Sequence, residues 1–161
     1  TYMLKHVAIL SMLVALVVIG CQQEEPPSTE RILDEDAINQ VLDNYVTAVE
    51  TGDTTLYFSL VAHDTDMVNF GVFGGPIYGW QGLKDAITNQ FASLSDVKIT
   101  VTNANIHDSG CIDWAWATSL WQFQATMGDR SFDLPVRCTW ILQNRDGTWV
   151  IVHFHKSASQ G

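Results

Sequence analysis

Residues 145–157, Arg-Asp-Gly-Thr-Trp-Val-Ile-Val-His-Phe-His-Lys-Ser, contain a turn followed by a strand. The pair Asp146-Gly147 favours a two-residue hairpin turn, because both positions of that turn require positive φ. Before the turn, apolar residues occupy every second position from Phe132 to Leu142, which predicts a strand. After the turn, Trp149 to Lys156 forms the returning strand. These residues therefore predict that the chain closes with a long antiparallel hairpin.

The segment before this hairpin continues the strand pattern. Val97, Ile99 and Val101 alternate with polar residues, and a longer strand is expected from about Ile112 to Gln124. Turns are expected at residues 108–110 and 127–130, where glycine and aspartate cluster. In the longer strand, Trp114, Trp116 and Leu120 share the outer face, and Ala115, Ala117, Ser119 and Trp121 share the inner one.

Three helices precede these strands. The first starts among Asp34, Glu35 and Asp36 and stops at Gly52. Its apolar residues recur at helical spacing: Ile38, Val41, Leu42, Tyr45, Val46 and Val49. A short second helix, Thr54 to Val61, is capped by Asp53. Short strands follow at 67–70 and in a segment that ends at Gly79, and a third helix is expected after Gly82. This order predicts an α+β fold, with a curved antiparallel sheet wrapped around the N-terminal helices.

The N-terminal segment has the composition of a signal peptide. Lys5 and His6 precede an uncharged apolar span of about 14 residues, too short for the ~20 that cross a bilayer. Val18-Ile-Gly-Cys21 resembles the lipobox of bacterial lipoproteins, which implies acylation of Cys21 and removal of the residues before it. The predicted organisation is a signal peptide at 1–20, a polar tether at 21–29 and one domain at 30–158. An ordinary secretory signal cut near Gly20, or an uncleaved anchor, is the alternative.

Charge and cysteines restrict the partners. Removing residues 1–20 eliminates one of eight basic residues and none of the 18 acidic ones, so the formal charge changes from −10 to −11. No basic cluster remains, which argues against nucleic acid and leaves the lipid anchor as the contact with the membrane. Cys111 and Cys138 fall in strand patterns out of alignment, which predicts buried free thiols. The signal peptide and the lipobox-like string together predict an extracytoplasmic location, with the chain lipid-anchored to a bacterial cell envelope.

Two local strings resemble a known superfamily. Tyr45-Val-Thr-Ala-Val-Glu-Thr-Gly-Asp53 is similar to the first-helix ending of ketosteroid isomerases. The string 145–157 is similar to the final hairpin of the calcium/calmodulin-dependent kinase II association domain. Both belong to the nuclear transport factor 2-like superfamily, which also holds the SnoaL-like domains. The resemblance covers about residues 30–158 and implies a cystatin-like cone with a pocket between sheet and helices.

Two acidic groups that ketosteroid isomerases use are replaced by uncharged residues in this chain. The resemblance places Tyr45 where the isomerases hold a substrate carbonyl, and it places their general-base carboxylate at Asn69. An amide accepts no proton near neutral pH. Their second acid falls at Thr139. Tyr45 also fits the helix's apolar stripe, as a core tyrosine. A binder is therefore favoured over an enzyme.

The association-domain resemblance implies a different set of pocket positions. The arginines of that family fall at Ser119, Trp140 and Lys156, of which the lysine alone keeps a charge. The inferred pocket is aromatic, with Tyr45, Tyr57, Trp121 and Trp140, and has two polar residues, Asn69 and Lys156. Such a pocket suits a small, largely apolar ligand held by one or two polar contacts. A filled core without a cavity is the competing interpretation.

The last strand supports the position of Lys156. Alternation places Lys156 on one face with Val150, Val152 and Phe154, which is apolar and suited to the interior. His153 and His155 share a face but lack a third ligand, and His63-Asp64 reads as a solvated loop pair, so no metal and no cofactor are predicted.

The predicted function is small-molecule binding without catalysis. The alternatives are a SnoaL-like or isomerase-like enzyme (isomerase, cyclase or dehydratase) and a ligand-free oligomerisation module. Exposed Trp114 and Trp116 on the outer sheet face predict a homodimer, since such apolar patches usually mark partner surfaces.

Overall fold

The computed structural model describes residues 33–158, so the predicted signal peptide, the tether and the lipidation site Cys21 lie outside the described residues. Within residues 33–158 the chain forms three helices and six strands. Their bounds are α1 Glu35–Thr51, α2 Thr54–Leu60, β1 Val68–Phe70, β2 Pro76–Tyr78, α3 Gly79–Ser93, β3 Ser95–Asp108, β4 Trp114–Met127, β5 Arg130–Arg145 and β6 Thr148–Ala158. None of the described helices is long and apolar enough to cross a membrane.

The first two helices have the caps that the sequence predicts. The Asp34 side chain accepts a hydrogen bond from the Ala37 amide at the start of α1. Gly52 ends α1 in the left-handed conformation, with φ 66°. Asp53 accepts from the Leu56 amide and caps α2 in the same way. Both local predictions are confirmed.

The third helix begins at Gly79, and its predicted start after Gly82 was wrong. Gly79 has φ 65°, its amide donates to the Met67 carbonyl at 2.7 Å, and a Cβ there would lie 2.8 Å from the Thr65 carbonyl oxygen. Only glycine tolerates both the conformation and the close approach. This long-range contact, invisible in the local pattern, sets the start of α3.

The six strands form one mixed sheet in the order β2-β1-β6-β5-β4-β3. All neighbouring pairs are antiparallel except β1 and β6, which are parallel. Asp146 and Gly147 connect β5 and β6 with φ 53° and 87°, the positive values of the predicted hairpin turn. Tyr45, Ala48 and Val49 of α1 lie in one core with the inner sheet residues. The predicted α+β fold, with the sheet wrapped around the helices, is confirmed.

Strand β4 has the two faces that its sequence predicts. Ala115, Ala117, Ser119 and Trp121 are buried, whereas Trp114, Trp116 and Leu120 are 37–43% exposed. Cys138, opposite Ser119 on β5, is buried as expected. The prediction that Cys111 is a buried strand residue was wrong, because it lies exposed in the turn before β4.

The faces of β6 differ from simple alternation. Trp149 and Ile151 are buried in its first half, so the inward placement of Val150 and Val152 was wrong. A bulge shifts the register between the pairs Ile141–His153 and Leu142–Ile151. One extra residue reverses the faces of all that follow. The second half thereby turns Phe154 inward, and Lys156 with it.

Candidate functional site

An aromatic cluster fills the space between α1 and the sheet. The ring of Tyr45 lies 4.8 Å from Tyr57 and 6.2–6.3 Å from Trp121, Trp140 and Phe154, measured between ring centroids. All five side chains are buried. They come from α1, α2, β4, β5 and β6, so the cluster exists only when helices and sheet are packed together.

Lys156 places its ammonium in this cluster. Nζ lies 4.4 Å from the Tyr45 ring centroid, 4.9 Å from Trp121 and 4.8 Å from Phe154, within the range of cation–π attraction. Nζ also donates a hydrogen bond of 2.6 Å to the Tyr45 hydroxyl. That hydroxyl lies 2.8 Å from the Tyr57 hydroxyl. A chain of three polar groups therefore runs from the sheet to α2 through an otherwise apolar core.

Burial changes the protonation of these groups. It lowers the pKa of Lys156 from an ordinary 10.5 to about 8, because an ammonium loses hydration among aromatic rings. Burial raises the pKa of Tyr45 and of Tyr57 well above the usual value and that of the Cys138 thiol to about 12. Near neutral pH the lysine is therefore mostly charged, while both phenols keep their protons.

Several polar atoms of the inner face have no hydrogen-bond partner within residues 33–158. They are Asn69 Nδ2, Ser119 Oγ, Trp121 Nε1 and Trp140 Nε1. Ser119, Cys138 and Lys156 are direct cross-strand neighbours on β4, β5 and β6. Buried polar groups in native proteins are usually paired, and of the four residues with unpaired atoms Trp121 is the one that borders the cavity lined by Lys156.

A narrow cavity reaches this cluster. Its space for a water-sized sphere is about 30 Å³, far below the several hundred Å³ of a typical ligand pocket. Trp121, Phe154 and Lys156 form part of its wall. Phe73, 41% exposed, lies at its edge with ring centroids 6.5 Å from Phe123 and 5.5 Å from Phe132. The cavity as it stands takes a molecule of few heavy atoms, and a larger one has to displace Phe73.

The structure brings together five of the predicted site residues: Tyr45, Tyr57, Trp121, Trp140 and Lys156. Ser119 on β4 lies two strands away from Lys156 on β6, with Cys138 of β5 between them. Asn69 has another task. It is fully buried, its Oδ1 accepts from the Phe154 amide at 2.8 Å, and it does not line the cavity.

Three aromatic wall residues, Phe73, Phe123 and Phe154, were not predicted as site residues. Phe154 could have been identified from the sequence, since it shares the face of Lys156. Phe73 lies between glycines in a turn, and its contacts with Phe123 and Phe132 depend on how that turn folds over the sheet.

The four histidines among residues 33–158 lie outside the cavity. His153 Nδ1 bonds the Val68 carbonyl at 2.6 Å, and His155 is exposed beside Phe70. His63 stacks on Trp80, and Asp64 forms a bidentate ion pair with Arg145, which lowers the pKa of the Asp64 carboxyl. In the part of the chain that the structure describes, no three His, Cys, Asp or Glu side chains are grouped as metal ligands would be.

The sequence from residue 38 to 160 matches the profile of the SnoaL-like domain. The chain belongs to the SnoaL-like domain family. No protein with curated annotation is similar enough in sequence to count as a relative of this SnoaL-like domain.

Solved structures agree with this assignment at the level of the fold. A proposed dehydratase of the nuclear transport factor 2-like family from Streptomyces avermitilis is 14% identical with TM-score 0.70, covering 80% of this chain and 98% of that chain. A ketosteroid isomerase-like protein from Erwinia carotovora atroseptica is 16% identical with TM-score 0.66, covering 78% and 96%.

A proposed calcium/calmodulin-dependent protein kinase II association domain from Xanthomonas campestris is 20% identical with TM-score 0.64, covering 80% and 92%. The predicted resemblance of this SnoaL-like domain to nuclear transport factor 2-like proteins is therefore confirmed at the level of the fold. Identities this low show a shared fold and leave the activity to the site itself.

Proposed function

We propose that this SnoaL-like domain binds a small, largely apolar molecule that carries a carboxylate or another acidic oxygen. The observation that carries this proposal is the environment of Lys156. Within residues 33–158 its hydrogen-bond partner is the neutral Tyr45 hydroxyl, and the one ion pair is Arg145–Asp64, on other elements. Lys156 is partly exposed as a residue, but its ammonium is poorly hydrated among aromatic rings and has no counter-ion within residues 33–158, so an anion entering the cavity gains a partner that the described residues do not supply.

The lining of the cavity argues for binding without proton abstraction. No carboxylate is among its described wall residues. Asn69, at the position that the resemblance gives to the isomerase base, uses its amide oxygen to accept from the Phe154 amide. Because no carboxylate base faces the cavity, carbanion chemistry of the isomerase kind has no group to start it.

An isomerase-like, cyclase-like or dehydratase-like enzyme is the second candidate. The hydrogen-bonded pair Tyr45–Tyr57 favours it, because two protonated phenols in a dry site stabilise an oxyanion. Turnover of an added carbonyl substrate that is lost in Tyr45→Phe would favour this enzyme over the binder.

The ligand proposal predicts that Lys156→Met weakens the binding of benzoate, a small aromatic carboxylate whose entry displaces Phe73, by at least tenfold near neutral pH. A desolvated charge pair is worth ~2–5 kcal/mol, and methionine keeps the length of the side chain without the charge. Isothermal titration calorimetry measures the affinity. Wild-type affinity should also fall about tenfold per pH unit above the Lys156 pKa of about 8, because the neutral amine no longer attracts an anion.

Lys98→Met, which changes an exposed lysine on β3, serves as the matched control and should bind benzoate as the wild type does. Equal affinity in the wild type, Lys156→Met and Lys98→Met would overturn the proposal. A ligand-free oligomerisation module would then be the better interpretation.

We also propose that the chain is an exported lipoprotein held in the bacterial cell envelope by acylated Cys21, on the strength of Val18-Ile-Gly-Cys21 and the polar residues after it. Several acyl chains at ~0.8 kcal/mol per buried CH₂ hold a protein stably on a membrane. Cys21→Ser should therefore appear in the soluble fraction after a high-salt wash, while the wild type stays with membranes. Retention of Cys21→Ser in the washed membranes would contradict this.

The outer face of the sheet supports a homodimer. Trp114, Trp116, Leu120 and Ile141 are each 37–43% exposed and form an apolar patch on β4 and β5. A second copy of this chain would cover it. Sedimentation velocity at micromolar concentration should give the mass of two chains, and Leu120→Glu should give one. Gln81→Glu, on the exposed side of α3, is the control that should remain dimeric; a monomeric wild type would contradict the proposal.

A further inference from the structure

Lys156 and Tyr45 form a pair whose chemistry goes beyond holding an anion. Lys156 forms part of the wall of an apolar cavity, and its Nζ lies 2.6 Å from the hydroxyl of the fully buried Tyr45. When the amine is charged it donates to Tyr45, which then directs its own proton to Tyr57, 2.8 Å away. When the amine is neutral, its lone pair is free to attack a molecule in the cavity, and the adjacent Tyr45 hydroxyl can donate its proton to a group bound at that nitrogen. One hydrogen-bond chain thus fits both protonation states.

We propose that the Lys156 amine reversibly forms an imine with a small aldehyde or ketone in the cavity, and that the Tyr45 hydroxyl assists the loss of water. This inference rests on the proposed function, because the carbonyl compound has to enter the same cavity as the anionic ligand. Small aldehydes and ketones are thus the class of ligand that we assign to this site.

The reaction balances with the groups present. The neutral amine nitrogen attacks the carbonyl carbon, the C–N bond forms, and the carbonyl π electrons move to oxygen. One nitrogen proton passes to that oxygen and gives a neutral carbinolamine. The C–O bond then breaks as Tyr45 gives its proton to the departing hydroxyl, so that water leaves and a protonated imine remains. The last nitrogen proton returns to the Tyr45 oxygen. The sum is amine plus carbonyl to imine plus water.

The surroundings favour this chemistry at Lys156 over the other described lysines. Lys84 and Lys98 are exposed on α3 and β3, whereas the Lys156 amine lies among the rings of Tyr45, Trp121 and Phe154. Desolvated lysines are the ones that form Schiff bases, because burial raises the neutral fraction. The pKa of about 8 agrees with this.

Reductive trapping tests the proposal. The full chain is incubated near neutral pH with acetaldehyde, which suits the narrow cavity, and with cyanoborohydride, which reduces a protonated imine to an ethylamine. Peptide mass spectrometry then compares the ethylation rates of Lys156, Lys84 and Lys98 in one sample. We expect Lys156 to react at least tenfold faster than the two exposed lysines. The ratio should shrink as the pH rises towards 10, because exposed amines then lose their protons too.

The Tyr45→Phe variant and competition with benzoate distinguish imine formation at Lys156 from anion binding alone. Tyr45→Phe should slow ethylation at Lys156 and leave Lys98 unchanged, and benzoate should protect Lys156 alone. Ethylation of Lys156 no faster than that of Lys98 overturns the imine proposal, whether or not Tyr45→Phe folds. If benzoate binding still requires Lys156 in that case, the ligand proposal stands without it. If Lys156 reacts rapidly while benzoate does not bind, the anion-binding proposal fails and the amine chemistry remains.

Discussion

The free energy of unfolding of Lys156→Met minus that of the wild type is expected to be about 2 kcal/mol larger near pH 7.5 than near pH 9.5. In the unfolded chain the lysine keeps its proton up to about pH 10.5, whereas in the folded protein its pKa is about 8. Between these values the unfolded state binds more protons, so the contribution of Lys156 to the free energy of unfolding rises with pH. Below about pH 8 the full cost of burying the charge is present.

Three other buried groups lower the free energy of unfolding as the pH rises. The measured quantity is therefore the difference between Lys156→Met and the wild type. The pKa values of Cys138, Tyr45 and Tyr57 are raised by burial, so these groups reduce stability once their unfolded forms ionise above about pH 9 to 10. They are present in both proteins. Urea unfolding of the wild type and Lys156→Met at several pH values therefore removes their common contribution and leaves that of the lysine, including its electrostatic interaction with Cys138.

Lys98→Met is the matched control, because Lys98 is exposed. Its difference from the wild type should be nearly constant over the same pH range. A pH-independent difference for Lys156→Met as well would mean that the Lys156 amine is solvated in the folded protein. The aromatic environment described above would then not exist in solution.

Asn69→Ala is expected to lower the free energy of unfolding by about 2–3 kcal/mol near neutral pH. The Asn69 side chain is fully buried, and its oxygen satisfies the Phe154 amide at 2.8 Å, joining β1 to β6. Without it, a buried N–H group loses its partner and a small space opens in the core. Chemical denaturation measures the loss, and Asn89→Ala, at an exposed position of α3, should stay within about 0.5 kcal/mol of the wild type.

The Asn69→Asp variant distinguishes the loss of the hydrogen bond from the loss of side-chain volume, because aspartate has nearly the size of asparagine. Aspartate keeps an oxygen for the Phe154 amide but buries a charge at neutral pH, so this variant should also be destabilised there. Because burial raises a carboxyl pKa, the protonated form persists in the folded state, and the gap to the wild type should narrow as the pH falls towards 4. Asn69→Ala should show no such recovery. A loss below about 0.5 kcal/mol in Asn69→Ala would contradict the structural role of this amide.

Short-range patterns correctly predicted much of the fold. Asp34 and Asp53 cap their helices, Gly52 ends α1, and Asp146-Gly147 turns the last hairpin as their residue types require. The two faces of β4 follow from strict alternation. Each of these features depends on a residue and its neighbours within about four positions, so the amino-acid order alone carries the information.

The errors occurred where distant contacts decide the backbone. The close approach of Gly79 to Thr65 starts α3 earlier than its apolar stripe indicates. The bulge in β6 reverses the inner face between Ile151 and Phe154, so Trp149 and Ile151 are inside instead of Val150 and Val152. A bulge leaves no fixed mark in the alternation, because it depends on the strand paired alongside.

The site shows the same division. The sequence by itself determined that aromatic side chains and one lysine lie on inner faces, since periodicity and the resemblance both place them there. Only the tertiary structure decided that Lys156 bonds Tyr45, that Tyr45 bonds Tyr57, and that Asn69 serves the backbone of β6. Lys156 and Tyr45 are 111 positions apart in the chain. Such a hydrogen bond forms when packing of the helices on the curved sheet brings both groups into one desolvated space, where each needs a partner.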